Sequence, residues 1–218
     1  MNLPLDHSLR LPGLWERRLD SAIHAIAIAA ALVGAVVLIM IAAQNGPVDV
    51  AVAAIYSGGL LAMFGCSLAY NLGRWSRYGD VLRNLDQTAI FLMIAGTYTP
   101  FTILRLDGAW GVGLTGLVWS VAALGIALRL FCTRLFDKLS ISLYLALGWI
   151  GLVALAPLIR ALDVTIVALL AAGGILYTVG VAFHLWERLP FRNAIWHAFV
   201  LAGAGIHFAA VAGSFIVS

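Results

Sequence analysis

Two pairs of polar residues, each four apart, stand out in a chain that is otherwise mostly apolar. Ser67 and Asn71 form one pair, and Asn193 and His197 the other. On a helix, residues four apart lie one above the other on the same face. Asp86, the only acid well within the boundary of an apolar stretch, follows the first pair. Together these groups could build a hydrogen-bonded network of amides, an imidazole and a carboxylate. As an enzyme, Ser67 and Asp86 would carry the chemistry, with Ser67 the nucleophile and His197 its base, although nothing in the sequence marks an activated serine. Each residue also has an ordinary explanation. Ser67 can return a hydrogen bond to its own helix, Asn193 can be an N-cap, and Asp86 can complement the positive end of a helix dipole. The other histidines read as packing or boundary groups, with His207 in the core and His24 and His184 near the membrane ends. Cys66 reads as a small buried side chain and Cys132 as a reduced thiol near a loop.

The elements that must position these residues are set by composition. The chain has 218 residues, of which 63% are hydrophobic and 11% charged. Soluble domains carry about 25% charged residues, so this chain cannot cover a water-facing surface of its own size. That excludes a soluble domain and a disordered chain, and makes nucleic acid an improbable partner. Two cysteines form neither a disulfide framework nor a metal-finger spacing. A spanning helix needs about 20 apolar residues, and seven stretches qualify: 22–43, 50–70, 85–104, 109–128, 139–159, 164–186 and 193–217. The breaks between them are turn formers such as Gln44-Asn45-Gly46-Pro47, Asp107-Gly108 and Leu189-Pro190. The expected fold is therefore an all-α membrane protein, a seven-transmembrane helix bundle over 1–218 as a single domain. It has an arm at 1–20 and a short interfacial helix over 72–84, where Leu72, Trp75, Tyr78 and Leu82 recur at helical spacing beside arginines.

Basic residues give the direction. Eleven fall on one side of the spans: Arg10, Arg17, Arg18, Arg74, Arg77, Arg83, Arg129, Arg134, Lys138, Arg188 and Arg192. Only Arg105 and Arg160 fall on the other. The positive-inside rule then places the N-terminus in the cytoplasm and the C-terminus outside. In that frame Ser67, Asn71, Asp86, Asn193 and His197 converge at one depth, facing the cytoplasm, and line an expected polar cavity. Small residues at spacing four, Gly58 with Ala62 and Gly205 with Ala209 and Gly213, permit close helix contact.

Several segments carry a resemblance. Leu85-Asp86-Gln87 followed by Ile94-Ala95-Gly96-Thr97-Tyr98-Thr99-Pro100-Phe101 resembles the hallmark of the hemolysin III family, the bacterial branch of the progestin and adiponectin receptor superfamily. Ser67-Leu68-Ala69-Tyr70-Asn71 resembles its second-span motif. Tyr144 through Gly148-Trp149 resembles its fifth, and Asn193 through His197 to His207-Phe208 its seventh. The resemblance implies a seven-span protein of the bacterial inner membrane. In the superfamily, three histidines hold zinc near the cytoplasmic side, an Asp is associated with the metal-bound water, and some members are proposed to cleave lipid amides. Ser67, Asp86 and His197 match that pattern, but Asn71 and Asn193 stand where two of the histidines would be. Zinc sites take imidazole, thiolate or carboxylate ligands, and a neutral amide oxygen is a poor substitute. The expectation is therefore a degenerate zinc site with no cofactor, His197 being the only matching ligand. The protein then binds a lipid or amphiphile as a sensor, binding module or membrane-remodelling factor. The alternative is a zinc-dependent, ceramidase-like hydrolase with an altered metal site. A transporter ranks last, because no charged vestibule marks the outer side.

Overall fold

In a computed structural model, residues 13–216 are described. Helix α1 (Leu14–Ala42) runs almost unbroken through a stretch of Ala, Ile, Val and Leu, and Asn45 and Gly46 end it. Gly46 takes φ 134°, a conformation that L side chains rarely adopt, and Pro47 opens α2 (Pro47–Gly73) with its φ already set for a helix. The Asn45 side chain donates to the Phe215 carbonyl at 2.8 Å, tying this turn to a chain end whose carbonyls have no helical partner. Then follow α3 (Gly79–Leu104), α4 (Gly108–Phe131), α5 (Thr133–Gly148), α6 (Leu155–Ala161), α7 (Val164–Leu185) and α8 (Arg192–Ile216). Seven helical segments are long and apolar enough to cross a membrane, with α5 and α6 sharing one of them, and no strand occurs among the described residues.

The span shared by α5 and α6 departs from the continuous helix expected over 139–159. A short 3-10 stretch, Ile150–Ala154, separates α5 from α6. Pro157 has no N–H to offer, and its ring crowds the carbonyl four residues back, at Val153. The break is held from α3. Tyr98 Oη donates to the Gly148 carbonyl at 2.6 Å and accepts from the Gly151 N–H at 3.0 Å. The expected interfacial helix over 72–84 is likewise not a separate element. Leu72 and Gly73 finish α2, a turn follows, and α3 has begun by Gly79, because the chain needs only a tight reversal there. The expected arm at 1–20 lies partly outside the described residues, and from Leu14 onward it is already α1.

α3 is the most buried span, packed against α2 on one side and α4 on the other, while α1 bridges α2 to α8 and α7 packs along α8. The close approach of α2 and α3 depends on two glycines. A Cβ on Gly59 would lie 3.2 Å from the Leu92 and Met93 backbone, and one on Gly96 would lie 3.4 Å from the Ile55 carbonyl. The small pairs expected from spacing alone serve less well. Gly58 and Gly205 face open space, and of these three glycines only Gly213 meets another helix, at Ile166.

A candidate polar centre between α1, α2, α3 and α8

The buried stripe of α1 begins Asp20, His24, Ala27, Ala31 and continues at helical spacing, so a carboxylate and an imidazole enter the bundle on the same face as the core alanines. Both are almost fully enclosed, Asp20 at 3% exposure and His24 at 1%. Asp20 is the hub. Its Oδ2 accepts from the Asn71 amide at 2.6 Å, and its Oδ1 meets His197 Nδ1 at 2.5 Å. The other His197 nitrogen, Nε2, lies 3.4 Å from Ser67 Oγ. Asp86 lies near Ser67 on the adjoining α3. His24 Nδ1 donates to the Asp20 main-chain carbonyl at 2.8 Å, and its ring packs edge-on against His197 with centroids 4.3 Å apart. The centre therefore draws on α1, α2, α3 and α8, in the half of the bundle where α1 and α8 begin.

Ser67 lies against His197 and Asn71 reaches the same centre through Asp20, with Asp86 near Ser67. Asn193 is half-buried one turn nearer the start of α8. With Glu16, Arg17, Asp20, Asn71 and Arg74 it lines a polar cavity of about 60 Å³ at this end of the bundle. The partners differ from expectation, since Asn71 and His197 meet Asp20 rather than Asp86. The helix-dipole account of Asp86 also gives way. α3 begins at Gly79, so Asp86 lies about two turns inside it, and the dipole acts only within the first turn. His207 donates from Nε2 to the Leu170 carbonyl at 3.1 Å and packs on Tyr177, the role of a core histidine. His184 packs on Trp196.

The sequence reading missed Asp20 and took His24 for a boundary group, whereas both are buried inside the bundle. Both errors come from starting the first span at residue 22. α1 starts at Leu14, which carries His24 about 15 Å into the helix at 1.5 Å per residue. The spacing of Asp20 and His24, four apart like the other two pairs, was the available signal.

A carboxylate orienting an imidazole that faces a serine hydroxyl has the connectivity of an acyl-transfer triad. Here the last contact is long, at 3.4 Å. A nucleophile and its base are expected within about 2.6–3.2 Å. The zinc implied by the resemblance does not fit the three inherited positions. At Asn71 the amide nitrogen is turned onto Asp20, and the position acts as a donor, whereas a metal ligand must offer a lone pair.

Comparison with known proteins agrees with this architecture. The family model for haemolysin-III-related proteins matches residues 16–208. The chain is 36% identical over 194 residues to the hemolysin-3 homolog of Bacillus subtilis, covering 88% of this chain and 91% of that protein. It is 36% identical over 201 residues to hemolysin-3 of Bacillus cereus, covering 91% and 92%. The monocyte to macrophage differentiation factor of Homo sapiens is 27% identical over 209 residues, covering 92% of this chain and 84% of that protein. With seven apolar spans and a match that takes in both the polar centre and the Tyr98 segment, the chain is an integral membrane protein and belongs to the hemolysin III family.

Proposed function

We propose that this protein binds a lipid or other amphiphile at its polar centre without hydrolysing it. It does so in the bacterial inner membrane, with its N-terminus in the cytoplasm and membrane lipids as its partners. The observation that carries the reading is the 2.6 Å hydrogen bond from Asn71 to Asp20. The residue that stands in place of a metal-binding imidazole positions a carboxylate instead, so the centre offers recognition groups in place of a three-imidazole metal. The cavity beside it, about 60 Å³, accepts a few water-sized groups and so the tip of a small polar head. An open apolar groove of about 650 Å³ runs along the outer side of α1, lined by Ile26, Ala30, Val33, Gly34, Val37 and Phe208, and suits a hydrocarbon tail. Both features share α1, so head and tail of one molecule can engage the same helix.

The test is native mass spectrometry of the purified protein, followed by titration with the co-purified amphiphile. The expected result is a bound amphiphile that is released intact, with binding weakened by Asp20→Ala at the head and by Ala30→Trp in the groove. Absence of any bound amphiphile, or binding indifferent to both substitutions, overturns the reading. A second reading, hydrolysis of a lipid amide at an altered metal site, is favoured by the alignment of Asp20, His197 and Ser67. Its mark is cleavage of a lipid amide that stops in Ser67→Ala.

A further inference from the structure

We infer that Asp20, His24 and His197 bind a divalent transition-metal ion, with a ligand set centred on α1 instead of α2. The inference goes beyond the binding reading above, which stands with or without an ion. Two imidazoles and a carboxylate form a donor set that zinc accepts, and three protein ligands leave a fourth position open for water or a headgroup oxygen. Each of the three residues offers a ligand atom within 4.8 Å of those of the others. In a tetrahedral zinc site the ligand atoms lie about 3.3 Å apart, given bonds of 2.0–2.1 Å.

The decisive group is His24. A carbonyl only accepts, so the 2.8 Å contact with the Asp20 carbonyl puts the ring proton on Nδ1 and leaves the lone pair on Nε2. That Nε2 is buried and has no hydrogen-bond partner. Buried polar atoms nearly always have one, and an imidazole whose other nitrogen is tied to a carbonyl is the usual form of a metal-bound histidine. His197 and Asp20 supply the rest. An ion that takes Asp20 Oδ1 and His197 Nδ1 moves the imidazole proton to Nε2, which faces the Ser67 hydroxyl. Asn71 then acts as an outer-shell partner, fixing the carboxylate through Oδ2 at 2.6 Å. The cavity of about 60 Å³ reaches Asp20 and gives an ion its way in.

The experiment uses the full-length protein in detergent, stripped with a chelator and then given zinc alone. Elemental analysis after desalting should find about one zinc per chain, with a raised Tm. His24→Asn and Asp20→Asn should each weaken zinc binding at least about tenfold, the scale of even an outer-shell loss. His184→Asn and His207→Asn should leave it unchanged. If Asp20→Asn does not fold, wild type and His24→Asn decide the matter. Wild-type protein that holds well under one zinc per chain and shows no thermal shift overturns the inference and leaves amphiphile binding untouched. Undiminished zinc in His24→Asn also overturns it.

Discussion

Two hydrogen-bonded regions lie within this bundle, and they are built on different terms. Around Tyr98 the partners are neutral and matched. One hydroxyl serves both the Gly148 carbonyl and the Gly151 N–H, Trp149 Nε1 donates to Thr178, and Trp119 Nε1 donates to Thr99. Each bond takes up a backbone or indole group that a kinked or packed helix would otherwise leave bare in hydrocarbon. Around Asp20 the groups are ionisable and concentrated, with two histidines and a second carboxylate close by, and one imidazole nitrogen is left without a partner. The first region is satisfied and so shapes the fold. The second leaves one imidazole nitrogen open, and buried ionisable groups inside a membrane are the usual mark of a functional site.

The largest expected loss is from Asp20→Ala, which strips acceptors from Asn71 and His197 at once. At about 1–3 kcal/mol for each partner left unsatisfied, and with the smaller values found inside membranes, the combined cost is expected at about 2–4 kcal/mol by thermal unfolding in detergent. A negligible loss would mean the hub is not one. Tyr98→Phe comes next, at about 1–3 kcal/mol, because both backbone groups of the α5 break lose their partner. Amphiphile and zinc binding should be unchanged, and if Tyr98→Phe altered ligand binding, the division between the two regions would fail. Asp86→Ala should cost about 1 kcal/mol at most, because Asp86 lies near Ser67 without joining the bonds of the hub, and a chemical-denaturation series would read it. Thr178→Val, which removes the exposed acceptor of the Trp149 indole, should cost about 0.6 kcal/mol, the average for side-chain bonds within membranes.

A substitution that changes composition sharpens the contrast further. Placed in the His24→Asn background, which lacks the ligand set on α1, Asn71→His with Asn193→His restores the three imidazoles of the superfamily pattern, and elemental analysis is expected to find zinc held by the new set, with either single change doing much less. Asn71→His also removes the donor that steadies Asp20. A folded but empty double variant would show that α2 and α8 no longer present those positions to a common point.

Much of this protein is written in its sequence for a plain reason. In hydrocarbon every backbone group must be satisfied within its own helix, so a run of about 20 apolar residues has only one way to fold, and seven such runs give seven spans. The resemblance in the Asp86 and Tyr98 segments was legible for the same reason, since short motifs in fixed order survive without knowledge of packing. Spacing also put Ser67 with Asn71 and Asn193 with His197, because the helical period is local.

Tertiary structure alone decided which of these faces meet. Hydropathy marks where an apolar run becomes long enough to span, but not where a helix first winds, so Asp20 looked like part of a polar arm until packing against α2 and α8 buried it. The partner of Asn71 is 51 residues away, and that of His197 is 177 residues away on α1. No local pattern carries such pairings. They follow from α1 sitting between α2 and α8, a choice made by side-chain fit across the whole bundle.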